Sequence, residues 1–241
     1  MRTSNPALGP NTFQNHALVS STAPMTLQGT VQKSFILLVL AAVSACFTWK
    51  TATGVGMPLA IGGAIGGFIV CLVLCFKKEW SPALAPVYAI LEGLFLGAIS
   101  AIMERSYGGI VGQAVMLTFG TFFALLAAYT TGMIKASEKF KLGVIAATGG
   151  IAVVYLLSIV LGFFGIQMPF IHESGAIGIA FSVFVVVIAA LNLVLDFDFI
   201  ENGCEARAPR YFEWYAAFGL LVTLVWLYIE ILRLLSKLRS R

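Results

Sequence analysis

The chain has 241 residues, of which 59% are hydrophobic and only 11% are charged. Soluble globular domains carry about 25% charged residues, so this composition excludes a soluble domain and indicates a polytopic membrane protein in contact with a lipid bilayer. The net charge of +4 reflects membrane topology and does not indicate a nucleic-acid partner.

Seven apolar runs are long enough to cross about 30 Å of hydrocarbon as helices that rise about 1.5 Å per residue. They lie at about 34–53, 58–76, 83–103, 110–134, 142–164, 174–199 and 214–236. The runs are continuously apolar and do not alternate, which excludes a transmembrane β-barrel. The sequence therefore predicts an all-α, seven-helix transmembrane bundle over residues 31–241.

The segment before the first span, residues 1–30, is polar and holds one charge, so it is expected to be a disordered tail. If this tail is cytoplasmic, the inner segments before span 7 hold nine Lys and Arg residues and the outer loops hold two. That bias follows the positive-inside rule and predicts a cytoplasmic N-terminus. Basic residues near the C-terminus oppose it, because seven full spans place them outside. A re-entrant seventh span is the alternative, and seven full spans are favoured.

The second span contains two overlapping GxxxG pairs, which are formed by Gly62, Gly63, Gly66 and Gly67. Small residues at this spacing let another helix approach closely. We expect this packing to occur within one chain, not between two copies, and therefore expect a monomer.

Four acidic residues lie within or at the ends of apolar spans: Glu92 in span 3, Asp196 and Asp198 in span 6, and Glu230 in span 7. An ionised carboxylate in hydrocarbon costs roughly 2.5 kcal/mol or more, so such an acid is paired, protonated or exposed to a watery cavity. Carboxylates at one level share protons because like charges repel, and when ionised they suit Ca²⁺. These residue types predict a switch between proton and cation binding. Alternatively the acids are structural, which is the favoured interpretation for Asp198.

Histidine occurs only in the tail and in an outer loop, at positions 16 and 172. No predicted span therefore offers a histidine base or an imidazole ligand, which excludes histidine-dependent intramembrane hydrolases of the serine or zinc type. Phosphate-binding loops and the GxSxG and HExxH motifs are also absent from the sequence. We expect no enzymatic activity and no cofactor, with calcium only as a transported or transiently bound ion.

Two segments resemble motifs of the Bax-inhibitor (transmembrane Bax-inhibitor-motif) family, in particular of its bacterial members. Residues 195–200, LDFDFI, look like the family's aspartate motif at the end of span 6, and residues 227–235, LYIEILRLL, look like its motif in span 7. The resemblance covers roughly residues 30–238. It implies a pH-sensitive calcium leak in the bacterial cytoplasmic membrane, with a central seventh helix that lines the pore.

The resemblance also implies roles for individual residues. A carboxylate pair on spans 6 and 7 shares a proton and gates the pore. Carried over to this chain, the pair is Asp196 and Glu230, which are then also the candidate calcium ligands. A basic latch residue near the end of span 2 corresponds to Lys77 or Lys78.

The start of span 7 decides which acid partners Asp196. If the span begins at Phe212, Glu230 lies about 27 Å along it, and Glu213 is the better partner. If residues 209–215 form a separate surface helix, Glu230 moves toward the middle of the membrane, and this is the arrangement we expect. The supporting acids are Glu92, Asp198 and Glu213.

Three functions are open from the sequence. The leading hypothesis is a passive, proton-regulated calcium leak. The second is a non-transporting regulator that binds another membrane protein, such as a protease or a stress or death factor, and in which the acids are structural. The third is a proton-coupled transporter of an unknown solute, although the spans show no convincing internal repeat of the kind typical of transporters.

Overall fold

The computed structural model describes residues 23–51, 56–164 and 175–240. Within these residues the chain forms seven long helices: α1 Leu27–Thr51, α2 Gly56–Phe76, α3 Ser81–Ser106, α4 Ile110–Thr130, α5 Glu138–Phe163, α6 Ala176–Glu205 and α7 Phe212–Arg239. A 3₁₀ turn, Lys78–Trp80, precedes α3. Each of the seven helices is long and apolar enough to cross a membrane. The predicted all-α, seven-helix fold is confirmed, and the chain is a multi-pass membrane protein.

The first helix begins at Leu27, earlier than the predicted start of span 1 at residue 34. The preceding residue is Thr26, whose hydroxyl accepts a hydrogen bond from the backbone N–H of Gly29 at 3.0 Å. This N-cap arrangement satisfies one of the free donors at the start of a helix. The boundary predicted at residue 30 therefore falls inside α1, and residues 1–22 of the predicted tail lie outside the described residues.

The last helix is one unbroken element of 28 residues from Phe212 to Arg239. At about 1.5 Å per residue it is about 42 Å long, which is enough for a full span. Phe212 and Tyr215 are buried, so the first turn packs as part of the same helix. The separate surface helix expected over residues 209–215 is therefore wrong, and Glu230 lies about 27 Å along α7.

The described residues fall into two compact units, and α6 and α7 each contribute to both. Unit A comprises residues 23–51, 56–108 and 196–222, which form α1, α2, α3, the end of α6 and the start of α7. Unit B comprises residues 109–164, 175–195 and 223–240, which form α4, α5, the start of α6 and the end of α7.

Small residues bring the first three helices together in unit A. A Cβ atom added to Gly63 of α2 would lie 2.5 Å from the carbonyl oxygen of Leu91 in α3. A Cβ atom added to Gly93 of α3 would overlap the backbone carbonyl of Ala41 in α1. Glycine thus allows close backbone contact where lipid supplies no hydrophobic drive between helices. The glycine-rich run of α2 packs within the chain, through Gly63 and not through Gly62, which has open space beside it.

The start of α7 packs against α3 and α6 within unit A. The rings of Tyr88 in α3 and Phe218 in α7 meet edge to face, with centroids 4.8 Å apart. Phe199 of α6 contacts Tyr215 of α7 in the same way at 6.3 Å. Aromatic packing of this kind holds the first turns of α7 between two other helices.

Unit B has an apolar core that consists of Ile151 from α5 with Val185 and Ile188 from α6. Trp226 of α7 and Tyr155 of α5 pack against this core. The packing fixes the ring of Tyr155 and therefore the position of its hydroxyl group.

Large apolar side chains cover the outside of the described helices. Exposed examples from five helices are Phe35, Phe68, Met116, Leu156 and Ile177. Soluble monomers rarely expose large apolar patches. We therefore assign these side chains to the lipid-facing surface.

Replacing Gly63 by Ala should lower the melting temperature of the detergent-solubilised protein, because the new methyl group would have to displace the backbone of Leu91. Overpacking of this kind costs about 1–3 kcal/mol. Gly62→Ala is the matched control, since its methyl group meets open space and Ala favours a helix over Gly by about 1 kcal/mol. Equal melting temperatures for the two variants would contradict the packing of α2 on α3.

Candidate functional site

Glu230, in unit B, is only 1% exposed. It shares one face of α7 with Arg233, because residues three apart on a helix are neighbours. The hydroxyl of Tyr155 in α5 donates a hydrogen bond to Glu230 Oε1 at 2.9 Å. Arg233 Nη1 donates to Oε1 at 2.9 Å and to Oε2 at 3.1 Å. Both carboxylate oxygens are hydrogen-bonded, and a positive charge lies next to the negative one.

Arg233 and Tyr155 also contact each other. Arg233 Nη1 donates to the Tyr155 hydroxyl oxygen at 2.6 Å, and the guanidinium carbon lies 5.1 Å from the ring centroid, within cation–π range. The side chain of Arg233 is 40% exposed, whereas that of Glu230 is 2% exposed. The three residues form an acid–phenol–guanidinium cluster, the Glu230 cluster, which joins a partly exposed cation to a buried carboxylate.

A buried cation follows on α7. Lys237 is buried, and its ammonium donates to the carbonyl oxygen of Gly178 at 3.1 Å and to the hydroxyl of Ser182 at 2.9 Å, both in α6. Burial of a charge requires hydrogen bonds of this kind. These two hydrogen bonds anchor the end of α7 to the start of α6 within unit B.

Asp196 lies in unit A, in α6, and is 7% exposed. Its neighbours Leu195 and Phe197 are also buried, and Asp198 is half-buried. Asp196 and Glu230 belong to different units, and their predicted pairing and shared calcium site stay predictions. Among the described residues, no group of three or more His, Cys, Asp and Glu side chains is arranged to hold a metal ion.

Glu213, the alternative partner considered for Asp196, lies in the first turn of α7 and is 2% exposed. Its Oε1 accepts hydrogen bonds from the Thr26 backbone N–H at 2.9 Å and from the Thr26 hydroxyl at 2.8 Å. Its Oε2 accepts one from the Lys33 ammonium, and Arg210 Nε lies 4.0 Å away. The residues at the start of α1 therefore balance the charge of Glu213.

Glu92 of α3 lies against α2 within unit A. A Cβ atom added to Gly67 of α2 would lie 3.1 Å from Glu92 Oε2 and 3.9 Å from the ring of Tyr88, which lies one turn before Glu92 in α3. Glycine at position 67 thus leaves room for a carboxylate between the two helices. The predicted role of Glu92 as a supporting acid stays a prediction.

The two candidate latch residues differ in their surroundings. Lys77 is exposed, whereas Lys78 is half-buried. The Lys78 ammonium lies 5.6 Å from the ring centroid of Tyr215 in α7, a cation–π distance. Lys78 therefore contacts α7 through a cation–π interaction with Tyr215.

The residues that bind the two α7 acids, Glu213 and Glu230, were not predicted from the sequence. Arg233 could have been found, because its spacing from Glu230 places both on one helix face. Thr26 could have been recognised as an N-cap before an apolar run. Tyr155 in an apolar span and Lys33 near the start of another give no local signal, because only folding brings them to the acids.

The family model described as Bax inhibitor 1 like matches residues 5–240 of the chain. The chain belongs to this family. The match includes all seven helices, and it confirms the resemblance that the motifs of α6 and α7 suggested. No individual curated protein matches this Bax inhibitor 1 like chain.

Replacing Arg233 by Gln should destabilise this Bax inhibitor 1 like protein, because it leaves the buried Glu230 carboxylate without its adjacent cation. Adding Glu230→Gln should recover much of the loss, since two neutral amides can hydrogen-bond without a buried charge. The measurement is the melting temperature of each single variant and of the double variant. Arg239→Gln is the control, because Arg239 bonds Gln113 at an exposed position. If the decreases in melting temperature of the two single variants simply add in the double variant, Arg233 and Glu230 are not coupled, and the Glu230 cluster is contradicted.

Proposed function

We propose that this Bax inhibitor 1 like protein is a passive calcium leak of the bacterial cytoplasmic membrane, and that protonation of buried carboxylates controls its flux. The observation that supports the proposal most is the burial of Asp196, Glu213 and Glu230 within helices that can span a membrane. Ionisable residues at such positions are costly and mark ion pathways and proton relays.

Protons and cations compete for such carboxylates. A protonated acid is neutral and is compatible with a closed, apolar bundle. An ionised acid favours a state in which water reaches it, and its oxygens are hard ligands of the kind that Ca²⁺ prefers. We therefore expect the flux to fall in acid, when the carboxylates are protonated, and to rise with increasing pH.

The acids of α6 and α7 contribute to this scheme in different ways. Arg233 and Tyr155 are hydrogen-bonded to Glu230. Removal of the Glu230 carboxylate therefore leaves the positive charge of Arg233 unbalanced, and this charge repels cations. Asp196 lies between the buried apolar residues Leu195 and Phe197. A change in its charge therefore changes the hydration of this buried part of α6.

The proposal includes a cytoplasmic N-terminus and a protein that acts as a monomer without a cofactor. The distribution of nine basic residues on one side of the first six spans against two on the other supports this orientation. Protease cleavage of an N-terminal tag should occur in inside-out vesicles and not in intact spheroplasts. The opposite pattern would reverse the orientation.

Purified protein in liposomes should admit Ca²⁺ faster as the pH is raised, when an internal fluorescent indicator records uptake. Asp196→Asn should remove most of this pH dependence, because its side chain cannot ionise. Glu138→Gln is the control, since Glu138 is an exposed acid at the start of α5, and it should keep the wild-type profile. An unchanged profile in Asp196→Asn rules Asp196 out as the sensor, and flux that increases on acidification reverses the gating scheme.

Glu230→Gln should give a weak leak that changes little with pH, because Arg233 then contributes an unbalanced positive charge. The same liposome assay measures this variant beside wild type and the double variant with Asp196→Asn. If the two acids act as one unit, the double variant should match the more severe single variant. Complete absence of Ca²⁺ flux in wild type would reject the leak and favour the non-transporting regulator.

A further inference from the structure

The segment formed by residues 24–33, here called the clasp, holds the connection between α6 and α7. Pro24 forms an antiparallel bridge with Pro209, and the Met25 backbone N–H donates to the Ala208 carbonyl oxygen at 2.7 Å. Met25 and Ala208 are both buried. The clasp is therefore joined to this connection by its backbone within unit A.

The clasp also supplies hydrogen bonds and a positive charge to the first turn of α7. The Thr26 hydroxyl accepts a hydrogen bond from the Gly29 N–H and donates one to Glu213, so one oxygen atom joins the start of α1 to the start of α7. The Lys33 ammonium forms an ion pair with the same carboxylate. A Cβ atom added to Gly29 would overlap the Glu213 carboxylate, so this close approach requires glycine at position 29.

A partly detached clasp is unfavourable, because Glu213 would stay in the bundle without all of the contacts that balance its charge. The nearby Arg210 is exposed and 4.0 Å from the Glu213 carboxylate, so solvent screens it and it is a weak substitute for Lys33. If the clasp moves away, Glu213 becomes a buried charge without its main cation, which is strongly unfavourable. The carboxylate must then move into water or a polar headgroup, and the first turn of α7 has to rearrange with it.

We infer that the clasp is a releasable restraint on the start of α7. When engaged, it fixes the α6–α7 connection and holds Glu213 in the bundle. When released, it frees the connection and the first turn of α7 to move. Pro24 and Thr26 are exposed at its outer edge, where the chain enters from residues 1–22. The effect of release on Ca²⁺ flux rests on the proposed function, whereas the movement itself does not.

The native thiol of Cys204 reports this movement without any assay of transport. Cys204 lies near the end of α6 and is half-buried, and its carbonyl oxygen accepts a hydrogen bond at 3.1 Å from the backbone N–H of Arg207 in the α6–α7 connection. Lys33→Gln should raise the rate at which N-ethylmaleimide modifies Cys204 severalfold in lipid nanodiscs. The parent protein for this test carries Cys46→Ala, Cys71→Ala and Cys75→Ala.

Two further variants separate release of the clasp from a general loss of structure. Lys50→Gln, at the exposed far end of α1, should leave the Cys204 rate unchanged. Lys33→Gln combined with Glu213→Gln should return the rate toward that of the parent, because no buried charge remains. Thr26→Val, which removes the hydroxyl without a change in charge, should also raise the rate. An unchanged Cys204 rate in both Lys33→Gln and Thr26→Val, or an equal rise in Lys50→Gln, overturns the inference.

A disulfide between residues 24 and 209 tests whether release of the clasp is needed for flux. Residues paired across an antiparallel bridge have Cα atoms about 4.5–5.5 Å apart, within the range of about 4.4–6.8 Å that disulfides require. Pro24→Cys with Pro209→Cys, in a chain whose four native cysteines are replaced by Ala, should therefore lock the clasp when oxidised. The locked protein should lose Ca²⁺ flux at alkaline pH, and a reductant should restore it.

The two experiments distinguish the possible failures. If the protein with residues 24 and 209 as reduced cysteines conducts Ca²⁺, and the oxidised, locked protein conducts equally well, release of the clasp is not needed for the flux. If no chain conducts, the proposed function fails, while the Cys204 rates still decide whether the clasp restrains the start of α7.

Discussion

An ionised carboxylate inside an apolar helix bundle needs a cation and hydrogen-bond donors beside it, and this requirement explains the arrangement around α7. Glu213 near its start binds a hydroxyl from Thr26 and an ammonium from Lys33. Glu230, about 25 Å further along the helix, binds the hydroxyl of Tyr155 and the guanidinium of Arg233. The same combination of acid, hydroxyl and cation thus occurs twice. It ties α7 to the start of α1 in unit A and to α5 in unit B.

Such contacts depend on close approach of the backbone, which the small residues provide. Gly29 leaves room for the carboxylate of Glu213, and Gly67 leaves room for that of Glu92. Between helices, Gly63 and Gly93 allow α1, α2 and α3 to pack with little side-chain volume between them. Glycine therefore has two roles in unit A: it brings helices together and it makes space for carboxylate side chains.

The compensation of these acids also limits how their charge can change in this Bax inhibitor 1 like protein. A carboxylate in a complete cluster can change state by taking up a proton or by losing its partner. The second route involves movement of Lys33 or Arg233, both of which lie nearer the surface than the acids they bind. Protonation of an acid and loss of its partner therefore both act on the same helix, α7.

The sequence by itself determined the membrane class, the seven helices, the acids of α6 and α7, and the family. These properties follow from composition, from the length of apolar runs and from local motifs, so they do not require knowledge of contacts. It misplaced the start of α1 and the boundary of α7, because the cap at Thr26 and the burial of Phe212 and Tyr215 decide where those helices begin. Only the tertiary structure brought Lys33 to Glu213 and Tyr155 to Glu230. Lys33 is 180 residues from Glu213, and Tyr155 is 75 residues from Glu230. Contacts over such separations depend on the packing of whole helices, and no local pattern encodes them.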